Sequence, residues 1–480
     1  MFWIIAWQHL RWLNRQHILP LALALLTLAM AYPFVRSSRR MAQERSDETK
    51  LLQRAHAAIS RNQQLARATE DRIAAGLEKE QIPPPFASRN PRFVEAWCRP
   101  PSILPRSLLA WLDSGQSGFH SAGYAGDEIK PVTNPLKLLI GEWDVGFAAV
   151  FVLPLIIIGI GFDLIASDKE SGRLRLALSQ PVTLRTILFA RVAAVATVVL
   201  LSTASIYAIE VALSAALPDR GMILRASAGG VAILLYAIFW LALALGVNAA
   251  SRSALTNALC LAGTWLLVVV LLPFAVDRIV TERHPVPPYS DVVDIHRSAP
   301  QLVKNMNRNT LMRQLGQLYP GVVHENGMSD LAALYVEVVA RRVMLEQITD
   351  QAQDRWERDL AEQQAAVDRL AVVSPAMLLT SSLIELAGTS RARYLGFVRQ
   401  TRAFDQQYEG FFLPRQAALP NSIFRSADYD LIPTMKYREE DAASVIRRAT
   451  PAIGALAAFA GVAAVVALAF VWKVAQQELV

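Results

Sequence analysis

Hydrophobic residues gather into six runs, at 18–35, 145–165, 187–213, 226–247, 254–276 and 451–472. A helix that crosses a bilayer takes about 20 apolar residues, so each run is a candidate span. Short polar links join runs two to five. Two long polar stretches, 36–140 and 277–448, interrupt the set. The pattern predicts an α-helical membrane protein with six transmembrane helices. It divides into an interfacial helix at 1–17, a first span at 18–35, and a first polar region at 36–140. Spans two to five follow within 141–276, including a charged link at 166–186. The second polar region is 277–448, and 449–480 holds the sixth span and a tail.

At the start of the chain Trp3, Trp7 and Leu10 recur at helical spacing, with Arg11, Asn14 and Arg15 among the polar positions. This describes an amphipathic helix with tryptophans at headgroup depth. Ala29-Met30-Ala31 resembles the small-x-small site of a secretory leader. A leader begins with a short basic segment, however, and this beginning is long and aromatic.

The polar regions also read as helical. From 41 to 81 the chain has no proline, and Leu52, Ile59, Ala66 and Ile73 recur every seven residues. Such a helix would reach roughly 60 Å, with Pro83, Pro84 and Pro85 ending it. Ser329 could cap a second long helix running to Leu370, with Leu334, Val338, Leu345, Ile348 and Leu360 near one face. The two long helices either pair into a stalk or pack separately. A third helix at 391–412 gathers Tyr394, Phe397, Phe404, Tyr408 and Phe412. That stripe is either core or a surface for a partner or an apolar substrate.

Composition supports the membrane reading. Of 480 residues, 53% are hydrophobic and 19% charged, against about 25% charged in soluble domains. Disorder and an ordinary soluble enzyme are excluded. The net charge of +7 is explained by basic residues flanking spans, not by nucleic acid. These basic residues lie on both sides, so charge alone does not orient the chain. Cys98 and Cys260 fall outside and inside a span and are not expected to pair.

Motifs for chemistry are missing. The sequence has no G-x-x-x-x-G-K-[ST] phosphate loop, no H-E-x-x-H and no C-x-x-C. Gly115-Gln116-Ser117-Gly118 lacks the spacing of a nucleophile elbow. His284, His296, Asp291 and Asp294 share a polar stretch but match no defined metal site. Acidic residues in spans are costly, so Glu210 and Asp163 are candidates to line a translocation path. Glu142 and Asp144 read as interfacial. Pro154, Gly159 and Gly161 suggest a kink or close helix approach in span two, and small residues over 455–467 suit helix packing in span six.

The link after span two reads Asp168-Lys169-Glu170-Ser171-Gly172-Arg173-Leu174-Arg175-Leu176-Ala177-Leu178-Ser179-Gln180-Pro181-Val182. Charges lead into a leucine-rich stretch closed by proline. A short helix could offer its charges to a partner while Leu174, Leu176 and Leu178 hold it to the membrane domain. A solvated turn with no partner has the same composition.

This stretch resembles the cytoplasmic loop of ABC-2-type transporter permeases: an acidic pair, a glycine, a leucine run, then Pro-Val. The usual pattern has Glu at the first acidic position and Thr after the glycine, where this chain has Asp168 and Arg173. Three further strings lie around the six spans in the order of a bacterial subfamily whose outer region is of unknown function: Ser374-Pro375-Ala376, Leu386-Ala387-Gly388-Thr389 and Lys436-Tyr437-Arg438-Glu439-Glu440. Asn134-Pro135 before span two fits the same pattern.

The resemblance implies the non-catalytic permease subunit of an exporter in the bacterial inner membrane. Both termini would be cytoplasmic and the two polar regions extracytoplasmic. ATP and Mg would be held by separate cytoplasmic ABC ATPase subunits, with no cofactor in this chain. Asp168, Lys169, Glu170, Gly172, Arg173, Leu174 and Pro181 would couple to those subunits. A second permease, identical or related, would complete the unit in the lipid bilayer. The large outer regions leave open an alternative role, in which ATP drives movement of periplasmic domains acting on an envelope partner and no substrate crosses. A polar cavity between the spans would favour transport.

Overall fold

The computed structural model describes residues 1–77, 88–113, 143–214, 219–250, 253–318, 330–417 and 423–477. The proline stop at 83–85, the Gly115–Gly118 string, Asn134-Pro135, Glu142 and the Ser329 cap lie outside them. Among the described residues every regular element is helical. Six helices among these residues are long and apolar enough to cross a membrane: Ile18–Ala74, Val145–Glu170, Leu184–Leu213, Arg220–Ala250, Ala254–Arg283 and Ala442–Val474. The protein is a polytopic α-helical membrane protein.

The chain begins with α1 (Phe2–Arg15), turns at His17, whose φ is 59°, and enters α2 (Ile18–Ala74). A short α3 (Pro91–Trp97) follows. Span two is α4, starting as Val145–Phe147, widening through a π segment at Ala148–Val152 and continuing as Leu153–Gly161. Next come α5 (Ala166–Glu170), α6 (Arg173–Leu178), α7 (Leu184–Leu213) and α8 (Arg220–Ala250). Span five is α9, Ala254–Trp265, with a π segment at Leu266–Leu271 and a continuation at Leu272–Arg283.

Both π segments stand just before a proline, Pro154 and Pro273. A proline has no N–H and crowds the carbonyl four residues back, and a wider turn relieves both. The freed carbonyls find donors. Tyr236 Oη donates to the Val150 carbonyl at 3.2 Å. Ser374 Oγ donates to the Val268 carbonyl at 2.7 Å. Of the kink or close approach expected in span two, Pro154 gives a widened turn, and the close approach occurs at Gly161, where a Cβ would stand 3.2 Å from the Ala244 Cβ.

Between α9 and the C-terminal helix the chain forms α10 (Tyr289–Lys304), α11 (Arg308–Leu318), α12 (Asp330–Leu370), α13 (Pro375–Ala387) and α14 (Arg391–Ala417). The final helix is α15 (Ala442–Gln477). Helix α8 occupies the middle, against α4, α7 and α15. Tyr236 and Trp240 are fully buried on α8.

The reading of 277–448 as wholly outside the span core is corrected at α13. Its Leu378, Leu379 and Leu383 are buried in one cluster with Tyr236, Val268 and Leu456. A 13-residue apolar helix is too short to cross, yet it enters the core from one end. The Ser374-Pro375-Ala376 string is its N-terminal cap. Gly388, at φ +71, is its left-handed C-terminal stop.

Helix α2 is continuous from span one outward, 57 residues long, and stops at Ala74 instead of 81. Gly76, at φ +70, supplies the stop that the sequence reading assigned to the prolines. Ala66 is fully buried among Val94, Phe404, Tyr408, Phe412 and Phe424, with Ile59 at the edge; Leu52 is exposed. The aromatic stripe of α14 is therefore core, apart from half-buried Tyr394. Cys98 joins that cluster, where burial pushes its thiol up to about 11. Cys260 is exposed on α9, and the two are free thiols.

The buried face of α12 matches the expected one in part: Leu345 and Ile348 border its buried cluster, and Val338 and Leu360 are half-buried. Val336, Val339, Ala340, Val343 and Met344 pack on Val303, Leu311 and Leu413, while Leu334 is exposed. Ile348 borders this cluster and Ile59 the other, so α2 and α12 pack on separate surroundings instead of forming a paired stalk.

Candidate functional site

Span two breaks after Gly161, and the chain turns through 162–165 before α5 and α6. Gly172 joins the two short helices at φ +72, with open space where a Cβ would stand. The backbone conformation alone calls for glycine there. Leu174 is buried with Ile165, Leu184, Leu188 and Val471, and Leu178 packs half-buried beside it. Leu176 is 73% exposed. The expectation that all three leucines anchor the loop fails for Leu176. Two residues along a helix is half a turn, which carries it to the other side.

The charged residues of the loop are mostly engaged by the protein itself. Asp168 binds Arg191 at 2.6 Å and Arg173 at 3.1 Å. Arg191 also donates to the Leu164 carbonyl at 2.5 Å. Lys169 donates to the Asn248 carbonyl at 3.3 Å. Glu170 accepts from the Ala254 N–H at 3.0 Å, covering the first turn of span five. Asp163 folds back on Ser167, accepting from its N–H at 2.7 Å and from its hydroxyl. Pro181 is exposed beyond α6.

Two fully buried asparagines complete the break. Asn248 donates to the Gly161 and Ala244 carbonyls at 2.7 and 2.8 Å, and accepts from the Leu164 N–H at 3.0 Å. Asn257 donates to the Phe162 carbonyl at 2.9 Å and to Asn248 Oδ1 at 3.1 Å. A helix end buried among spans leaves backbone groups without partners, and these amides supply them. The loop is thereby fixed to spans two, three, four and five at once.

Helix α1 flanks the loop. Its Ala6 packs on Ala190 and Ala194 of α7. Ile5, Gln8, His9 and Trp12 face Asp163, Ser167, Asp168, Arg173 and Arg191 across a cleft of about 230 Å³. His9 is buried and stacks on Trp12. Burial, with the charge of Arg191, holds its imidazole down to about 4 against the opposing pull of Asp168. The ring is neutral at neutral pH. Trp3 and Trp7 are exposed on the other side of α1.

A family model described as ABC-2 family transporter protein matches residues 3–335, which take in α1, the first five spans and the loop. The chain belongs to the ABC-2 family of transporter proteins. A second model, a domain of unknown function (DUF3526), matches residues 296–438. No curated protein matches the chain.

In this ABC-2 transporter protein the unknown domain contains both α13, buried in the span core, and α14, whose aromatics hold the tip of α2. The two acidic candidates for a path stand far apart. Asp163 lies in the α1 cleft beside Arg191, whereas Glu210 lies 19 residues further along α7, about 28 Å away along the axis. Glu210 is 2% exposed, and neither carboxylate oxygen has a partner among the described residues. His296 bonds its own helix and Asp294 pairs with Arg297 at 3.8 Å, so that stretch is not assembled as a ligand set. Sequence reading missed Arg191, Asn248, Asn257 and His9. The first three sit within or beside apolar runs, and weighing every polar residue there, beyond the acidic ones, would have found them.

Proposed function

We propose that this chain is the permease subunit of an ATP-driven exporter in a bacterial inner membrane, with α1 and the loop in the cytoplasm. ATP and Mg are bound by a separate ATPase, and a second permease faces this one. The observation that carries this reading is the two-sidedness of the loop. One side is bonded to four spans. The other presents Leu176 between Arg173, Ser179 and Gln180, an exposed leucine on a polar face. Such a residue fits a hydrophobic recess in a partner, and the bonded side passes the push to the spans. Asp168, Lys169, Glu170, Gly172, Arg173, Leu174 and Pro181 then divide into the residues that hold the loop and the exposed ones that meet the ATPase.

Co-purification of the tagged chain tests this. An ABC ATPase subunit should accompany the wild type, and Leu176→Glu should lose it or leave its ATP hydrolysis uncoupled. Purification with no ATPase would overturn the reading.

A second reading, mechanical work on an envelope partner, is favoured by α13. This helix touches the span core and leads directly into α14. Arg225 of α8 donates to the Leu386 carbonyl at its end at 3.0 Å. Spin labels on exposed sites of α2 and α14, compared with and without ATP, separate the two. Outer movement without substrate efflux supports mechanical work; efflux from loaded vesicles supports export.

A further inference from the structure

Spans one and two leave an apolar groove of about 780 Å³ between them, with Ile18 and Phe162 at the α1 end and Tyr32 and Trp143 at the other. Every residue lining it is apolar or aromatic. Its walls are accessible: Leu25 is 48% and Leu155 44% exposed. The depth comes from Ala22, Ala29 and Gly159. Gly159 is exposed, and a Cβ there would meet nothing within 4 Å. Glycine weakens a helix, and neither a left-handed backbone nor a close neighbour in this chain calls for one here. The missing side chain is groove space.

Charge decides what fills it. From Ile18 to Tyr32 is about 21 Å of helix, inside a hydrocarbon core of about 30 Å. The face of α2 that lines the groove continues beyond Tyr32. Positions 25, 29, 32, 36 and 39 follow one another in steps of three and four, so Arg36 and Arg39 stand one and two turns past Tyr32 on that face, both exposed. Neither pairs with a carboxylate among the described residues, whereas Arg40 is held by Glu44 at 2.9 Å. Tyr32 and Trp143 meet edge to face at 6.5 Å, an aromatic pair suited to headgroup depth. The order along the groove is that of a lipid: space for tails, then interfacial aromatics, then guanidiniums, which bind phosphate through paired N–H donors. A second copy seated here about a two-fold axis along the bilayer normal would set its own Arg36 and Arg39 against these, like charge on like.

We propose that the groove between spans one and two seats an anionic phospholipid from the leaflet opposite α1. Its tails lie along Ala22, Ala29 and Gly159, and its phosphate rests on Arg36 and Arg39. The lipid then serves as packing between α2 and α4. This site needs the spans alone and goes beyond the permease reading, since no ATPase takes part in it.

The full chain in mild detergent is incubated with phosphatidylglycerol that carries a photoactivatable group in its tail, and the labelled peptides are mapped. Label should concentrate within 18–36 and 143–162; label spread equally over spans five and six would overturn a specific site. Native mass spectrometry then compares retained lipid. The wild type should hold phosphatidylglycerol about tenfold better than phosphatidylcholine. Gly159→Leu, whose Cβ enters open space, should lower retention of both lipids about tenfold by filling the groove. Arg36→Gln combined with Arg39→Gln should keep lipid and lose the preference. Unchanged retention in Gly159→Leu would overturn the groove as the seat, and equal retention of the two lipids by the wild type would overturn the anionic headgroup. A Gly159→Cys chain that joins a second copy by a disulfide in high yield in membranes would give the groove to that copy and overturn the lipid assignment.

Discussion

The Ser374 hydroxyl donates to the Val268 carbonyl at 2.7 Å, joining residues 106 positions apart. The same Oγ caps α13, accepting from the Met377 N–H at 3.5 Å. One hydroxyl therefore serves both the widened turn of span five and the start of the helix whose leucines join the core. Ser374→Ala should destabilise the protein by about 2 kcal/mol, through a buried orphan carbonyl and a lost cap. Thermal unfolding in detergent measures this, and an unchanged midpoint would show that the turn is satisfied in some other way.

Asn248→Leu keeps the volume of a fully buried side chain but removes its bonds to Gly161, Ala244, Leu164 and Asn257. The expected cost is about 3 kcal/mol. The effect should be local first. Hydrogen exchange over 162–170 should speed up while α13 stays protected, whereas uniform exchange through both would point to global loosening.

The neutral state of His9 makes stability depend on pH. Its ordinary value is 6.5, and burial lowers it to about 4 in the folded chain. Between those values the unfolded chain binds more protons. Stability should therefore fall as pH drops from about 6.5 toward 4 and be flat above, by at most about 3 kcal/mol. Other groups titrate as well, so the measurement is the difference in melting temperature between wild type and His9→Leu from pH 7.5 to 5. Parallel curves would show that folding leaves the proton affinity of the His9 imidazole unchanged.

Gly172 and Gly388 have nearly the same backbone, φ +72 and +71, in different surroundings. A Cβ at Gly172 meets nothing within 4 Å; at Gly388 it would stand 2.6 Å from Arg225 Nη2 and 2.9 Å from Ser107 Oγ. Gly172→Ala should cost about 1 kcal/mol, from the backbone alone. Gly388→Ala should cost clearly more and displace Arg225. Equal losses in thermal unfolding would mean that the Arg225 guanidinium moves aside freely.

The six spans were legible because each is an apolar run of the length a bilayer demands. The loop was legible as a place but not as a structure. Asp168 reads as a solvated charge until Arg191, 23 residues on, is seen to bind it. Asn248 reads as a stray amide until Gly161, 87 residues back, supplies its acceptor. Helix α13 stayed hidden for a different reason. Its apolar residues are too few for a span, and nothing local says whether such a helix packs on the polar region or enters the core. On α12 the sequence reading followed the leucines, but the position of α10 and α11 decides the buried side, and that side is lined by Val336, Val339 and Val343.

Helix α2 is one piece for 57 residues, about 85 Å of rod with Pro33 near the end of its apolar run. A rod of that kind magnifies. Tilting it by about 5° around Pro33 would carry its upper end roughly 5 Å, since about 60 Å of helix lies beyond that point. At that end Glu70 holds the Ser426 N–H at 2.8 Å and its hydroxyl at 2.6 Å. The deflection would thus arrive enlarged and already gripped, like the pointer of a balance linked to its scale.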